Sequence, residues 1–240
     1  MNVFIYDAVT EKYKKKTRKF EEQINKLGLQ GKILYLNSIK NPAESIEKEI
    51  NSGAKTIIIL GNDRTANLVV NILANISQNI PIFIVPIGKD NLIAESLGIE
   101  NEKDAAFILS ARRTESIKLG KINHLFFISN CQITNKDTSI KIDNSYSVFS
   151  QKETIYKIVN LADKDLFSKN TKSSPQDDRL EFFVFNKNKD KTILPINKAI
   201  EITNNNFSIL LDNSVQISLP ATISISDKKI TFVVGKDRTF

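Results

Sequence analysis

The feature that most limits the fold is an apolar run, Thr56 to Leu60, that stops at Gly61-Asn62-Asp63-Arg64-Thr65 and passes into a helical pattern. A second apolar run, Ile82 to Val85, breaks in the same manner at Pro86-Ile87-Gly88-Lys89-Asp90-Asn91. Neither run alternates apolar with polar residues, as expected of strands covered by helices on both faces. Strands that alternate with helices predict a parallel sheet with right-handed crossovers. In such a sheet the strand-to-helix corners line the carboxyl edge, where open α/β folds hold nucleotides and phosphates.

The pattern extends from residue 1 to about 113. Val3 to Tyr6 reads as the first strand, and Lys12 to Leu27 as a helix stopped at Gly28. Its stripe is Tyr13, Phe20, Ile24 and Leu27. Lys32 to Leu36 is the next strand, and Asn41-Pro42 caps and opens a helix that closes at Ser52-Gly53. A helix over Thr65 to Ile76 puts Leu68, Val69, Ile72 and Leu73 on one side. A short helix over Asn91 to Leu97 ends at Gly98.

Past Arg113 the texture changes. Short strand-like runs follow one another, from Ser116–Leu119 through Tyr156–Leu161 and Glu181–Asn186 to Lys229–Val234, with Asn, Asp, Ser and Lys between them. This predicts an antiparallel β domain, a sandwich, over residues 114–240. The polar stretch Asp163 to Asp178 reads as a loop, and Thr222–Ile225 and Lys229–Val234 as separate strands. The expected architecture is therefore a doubly wound α/β nucleotide-binding domain, 1–113, followed by a β-sandwich.

Composition narrows the chemistry. The 240 residues hold one cysteine, Cys131, and one histidine, His124, so no intramolecular disulfide forms. Zinc sites and Cys–His or Ser–His catalysis are disfavoured. Catalysis would have to use carboxylates, lysines, hydroxyls and a bound metal. The opening residues read as a strand rather than a secretory leader, which predicts a cytoplasmic location. Lys and Arg number 34 against 27 Asp and Glu, a net charge of +7. That excess suits phosphate ligands or an anionic membrane face, and it also serves plain solubility. Nucleic-acid binding is not expected, since aromatic residues do not interleave with the basic ones.

Glycines at a strand-to-helix corner let backbone N–H groups approach phosphate oxygens, and Gly61 and Gly88 keep that ability. With Asn62, Arg64, Thr65, Lys89 and Asn91 they form the candidate cofactor-binding set. Asp63 could orient a metal-bound water or hold the corner. Thr65 and Asn91 could bond a nucleotide or cap the helices they begin. Arg64 and Lys89 either fill the phosphate pocket or replace backbone contacts with charge.

The two corners resemble those of the diacylglycerol kinase catalytic-domain superfamily, which includes bacterial lipid kinases and sphingosine-type kinases. Its members carry Gly-Gly-Asp-Gly-Thr and then Pro-x-Gly-Thr-x-Asn-Asp, followed by Ala and by Leu-Gly. Here Gly61-Asn62-Asp63-Arg64-Thr65 precedes Pro86-Ile87-Gly88-Lys89-Asp90-Asn91-Leu92, followed by Ala94 and Leu97-Gly98. Asp177-Asp178-Arg179-Leu180-Glu181 is similar to the family's Asp-Gly-x-Leu-Asp. Leu211-Asp212-Asn213 is similar to its late Asp-Gly-Glu hairpin. Several positions depart: Asn62 and Arg64 replace glycines, Lys89 replaces threonine, and Leu92 replaces aspartate. Tyr6-Asp7-Ala8-Val9-Thr10 stands where relatives have Asn-Pro-x-Ser-Gly.

The resemblance implies an ATP- and Mg2+-dependent kinase acting on a lipid hydroxyl, with the metal ligands unassigned. Asp63 and Asp177 would be its catalytic carboxylates, and Asp177 would take the hydroxyl proton in the cleft between domains. Peripheral contact with an anionic inner membrane face and a homodimer both stay open. So do two other readings, a non-catalytic lipid- or nucleotide-binding homologue and an NAD kinase-like enzyme.

Overall fold

The computed structural model describes residues 1–76, 78–135, 138–150, 154–162, 174–185, 191–203 and 208–240. The chain forms two compact units, Met1–Ile117 with Ile230–Thr239, and Lys118–Lys229 with Phe240.

In the first unit β1 (Asn2–Tyr6), β2 (Gly31–Tyr35), β3 (Thr56–Gly61) and β4 (Ile82–Pro86) form a parallel sheet in the order β2-β1-β3-β4. The end of the chain's last strand runs parallel beside β4, with Phe232 opposite Ile82. Ile57 to Leu60 and Ile82 to Val85 are buried, which accounts for their lack of alternation.

The helices are α1 (Val9–Lys12), α2 (Lys14–Lys26), α3 (Pro42–Asn51), α4 (Asp63–Leu73), α5 (Leu92–Ser96) and α6 (Glu102–Ala111). Asn41 caps α3 as expected, its side chain accepting the Glu44 N–H at 3.3 Å.

Three local expectations are corrected. The first helix breaks at Tyr13, whose φ of −111° and ψ of 37° leave the helical region. Its inner face is Thr17, Phe20 and Ile24, while Leu27 ends the helix exposed. On α4 the inner row is Ala66, Val69, Val70 and Leu73, and Leu68 faces outward. Helix α6 went unforeseen. Its signal is Asn101, whose side chain accepts the Lys103 and Asp104 N–H groups at 2.9 and 3.1 Å.

The second unit is a sandwich of antiparallel strands. The strands that follow α6, the first and last of which begin or end in the first unit, are β5 (Thr114–Ile122), β6 (Leu125–Phe127), β7 (Asn130–Asn135), β8 (Thr138–Ile142), β9 (Tyr146–Ser150) and β10 (Thr154–Val159). β11 (Leu180–Phe185), β12 (Lys191–Ile196), β13 (Ala199–Ile202), β14 (Ser208–Leu211), β15 (Val215–Ser218) and β16 (Ala221–Val233) complete the series. One layer runs β12-β11-β10-β7-β14-β15, and the other contains β9, β8, β13 and the start of β16. Their inner faces share one core. Ile133, Tyr156, Phe182 and Ile209 come from the first layer, and Ile140, Ile200 and Ile223 from the second. The two late runs expected as separate strands form the single strand β16. Most of the loop expected over Asp163 to Asp178 lies outside the described residues.

Two hairpins of this unit turn on the same tripeptide, Asp143-Asn144-Ser145 and Asp212-Asn213-Ser214, with Asp and Asn left-handed in both. Each aspartate collects three backbone N–H groups from a neighbouring segment. Asp143 takes those of Asn197, Lys198 and Ala199 at 3.0, 2.8 and 3.0 Å. Asp212 takes those of Ile128, Ser129 and Asn130 at 2.9, 2.7 and 3.1 Å. Partial burial works against the Asp143 anion, but the three donors outweigh it and hold the carboxyl below its usual range.

Asp212 is fully buried, so its bonds have no water to fall back on. Asp212→Asn keeps the left-handed turn but sets an NH2 against one N–H donor. It should cost about 2–4 kcal/mol in urea unfolding. Asp143→Asn, partly solvated, should cost under about 1 kcal/mol.

Candidate active site

The two corners lie side by side because β3 and β4 are adjacent and parallel, with Gly61 opposite Pro86. Ile87 N–H donates to the Gly61 carbonyl at 2.9 Å, and Asp63 N–H to the Asp90 carbonyl at 2.9 Å. The Asp63 side chain adds the firmest link. It is 1% exposed, and its two oxygens accept the N–H groups of Leu92 and Ile93, each at 3.0 Å. Those residues open α5, so a carboxylate of the first corner caps the helix of the second. Hydrogen bonds to a charged acceptor contribute about 1.5–3 kcal/mol each.

Both glycines answer to close packing. A Cβ on Gly61 would lie 2.5 Å from Thr65 Oγ1. Gly88 has φ +96°, and a Cβ there would meet Val9 Cγ2 at 2.8 Å. Asn62 has φ −115°, so its backbone does not require glycine, and its side-chain oxygen caps α4 by accepting the Thr65 N–H at 3.4 Å.

Arg64 and Lys89 are both exposed at the corners. Arg64 belongs to the first turn of α4, and the space beside Gly61 is taken by the Thr65 side chain. Asn91 donates from Nδ2 to the Gly88 carbonyl at 3.1 Å and makes no cap of α5. Its Oδ1 is buried with no hydrogen-bond partner.

The sheet order brings in a residue that the motifs passed over. With strands ordered β2-β1-β3-β4, successive crossovers leave in opposite directions from the seam between β1 and β3. Such a reversal opens the crevice that open α/β sheets use for ligands. Asp7 stands there, directly after β1, and its Oδ2 accepts the Thr65 hydroxyl at 2.7 Å. Its Oδ1 accepts the Val9 N–H at 2.8 Å. The available signal was an acid straight after the first strand, where a corner must form.

The remaining candidates belong to the second unit. Asp177 is exposed in a turn, where its N–H donates to the Ser174 carbonyl and its Oδ1 accepts the Arg179 N–H, both at 3.0 Å. Asp178 pairs with Lys118. Glu181 lies at the start of β11, and the motif by itself does not single it out as catalytic. Burial, and then the nearby Asp177 charge, raise its carboxyl to about 7, and its buried Oε2 has no hydrogen-bond partner. Asp212 is tied into the sandwich as described. Cys131 is buried in the core, where desolvation lifts its thiol far from reactivity, and His124 is exposed in a turn. Among the described residues no three acidic, histidine or cysteine side chains gather into a metal-binding group.

Comparison with known proteins agrees with this architecture. No curated protein matches the chain. A protein of Bacillus anthracis str. Sterne described as "a putative diacylglycerol kinase" superposes with a TM-score of 0.76 at 17% identity, covering 98% of this chain and 97% of its own. A second structure under that description gives a TM-score of 0.75 at 16% identity with the same coverage. At such identity the likeness establishes the fold. The sequence model of the diacylglycerol kinase catalytic domain matches residues 2–122, which include both corners, the Asp63 bridge and the switch point. The chain belongs to the diacylglycerol kinase catalytic domain family.

Proposed function

We propose that the protein is an ATP-dependent lipid kinase that transfers the γ-phosphoryl group to a lipid hydroxyl. The observation that carries this reading is the Asp63 carboxylate welding two adjacent corners in the segment that matches the family model. Phosphoryl transfer asks the protein mainly for positioning and charge. Asp63 supplies positioning, because it fixes α5 against α4 and with it the loop of Gly88, Lys89 and Asn91. Arg64 and Lys89 supply charge, being exposed cations at the two corners. The orphaned Asn91 Oδ1 offers an acceptor to a nucleotide hydroxyl or amine.

The nucleotide fits this set through side-chain cations more than through a glycine cradle. Mg2+, which neutralises charge on the phosphates, commonly arrives with them and keeps most of its waters, so it needs only one or two protein carboxylates. For the acceptor hydroxyl, Asp177 and Glu181 are the candidate bases among the described residues of the second unit. Glu181 is the better poised, since a base titrating near neutrality is half ionised there. The basic excess of the chain favours an anionic lipid surface as the place of work.

One observation favours a non-catalytic nucleotide- or lipid-binding homologue. Two first-corner donors are already spent inside the protein, the Thr65 N–H on Asn62 and the Thr65 hydroxyl on Asp7.

Purified protein with γ-labelled ATP, Mg2+ and diacylglycerol in mixed micelles separates the two. The kinase reading expects labelled lipid, and in Lys89→Ala a KM for ATP raised roughly tenfold or more, as loss of a charge-assisted phosphate contact implies. Absence of labelled lipid in the unmodified protein would remove the kinase reading. The pH profile tests the base. Its ionised form must accept the proton, so kcat should rise as pH passes upward through about 7 and then level off. In Glu181→Gln that rise should vanish.

A further inference from the structure

We infer that Asp7 is a built-in anion that occupies the phosphate place of the first corner and sets how tightly that corner holds a polyphosphate. The inference rests on the nucleotide-binding reading above and adds a residue which works against the ligand.

The position of Asp7 is fixed from several sides. Its N–H donates to the Leu60 carbonyl at 3.1 Å, which anchors it beside β3 at the switch point. Its Oδ1 accepts the Val9 N–H at 2.8 Å, and its Oδ2 accepts the Thr65 hydroxyl at 2.7 Å. One backbone N–H and a hydroxyl around an oxyanion resemble what a phosphate oxygen would be given at such a corner, except that here the anion belongs to the protein.

Thr65 is the contested group. It is 1% exposed and carries one hydroxyl proton, so it cannot donate to a phosphate while it donates to Asp7. Its N–H is held by Asn62 at 3.4 Å, and the Asp63 N–H by Asp90 at 2.9 Å. A phosphate that reaches for this corner therefore meets occupied donors and a carboxylate of its own sign. Two negative charges sharing one hydroxyl in a partly buried site repel by an amount worth about tenfold or more in affinity. Asp7 is only half-buried, so it can turn aside at the cost of its two side-chain bonds.

Nearby charge is arranged to match. Arg64 and Lys89 lie exposed at the same two corners, where they offer charge to an incoming phosphate.

The test is calorimetric titration of Mg2+·ATP into the whole protein and into Asp7→Asn. Asn still accepts the Val9 N–H but carries no charge. Asp7→Ser, which offers the same turn a hydroxyl acceptor, serves if the first variant folds poorly. Either variant should bind at least about tenfold more tightly than the unmodified protein. Equal or weaker binding in the folded variant overturns the inference. If the unmodified protein binds and the variant gains nothing, Asp7 falls while the nucleotide reading stands. If only the variant binds, Asp7 stands and the kinase reading of the unmodified chain falls. If neither binds, both fall.

Discussion

One buried carboxylate holds the candidate site together. Asp63 is placed by the end of β3 and the start of α4, and it spends both oxygens on the opening N–H groups of α5. Without it, α5 would begin with two unsatisfied donors in a buried setting, which proteins avoid. The loop from Gly88 to Asn91 hangs from that helix start. Its left-handed Gly88 and Asp90, and the orphaned Asn91 oxygen, therefore depend on the same bridge.

The chain solves several problems with this device. It has only 8 glycines, and its left-handed non-glycine turns fall mostly on Asp and Asn: Asp90, Asn123, Asp143, Asn144, Asp212 and Asn213. These side chains tolerate that region because they bond locally to the backbone. Asp63, Asp143 and Asp212 each reach across to the backbone of another segment, and Asp7 reaches the Thr65 hydroxyl. Replacement of a corner glycine by Asn62 belongs to the same habit. It costs little at φ −115°, and its amide becomes a helix cap.

The alternation of strand and helix up to residue 113 was legible because its central strands, β3 and β4, are covered on both faces and so apolar without a break, though the edge strand β2 is largely exposed. The two corners were legible by their motif spacing. Several features were hidden for physical reasons. Register within a helix depends on which side meets the sheet, so Leu68 reads as inward by periodicity although Ala66 and Val70 pack there instead. The break at Tyr13 follows no sequence breaker. Helix α6 buries small residues, Ala105 and Ala106, and leaves Phe107 exposed, so its apolar stripe is faint. Asp7 could not be tied to Thr65 until β1 was known to lie beside β3, a contact across 58 residues. Glu181 gains its interest from burial, which periodicity alone does not give.

Amide hydrogen exchange at Leu92 and Ile93, compared between the unmodified protein and Asp63→Asn, tests the bridge most directly. Asn offers one acceptor oxygen where two are used and turns a donor toward the other N–H. If Asp63 holds the corners together, these two amides should exchange at least about tenfold faster in the variant, well beyond any change across β1 and β3. Exchange that is unchanged there, or raised uniformly over the first unit, would contradict the account.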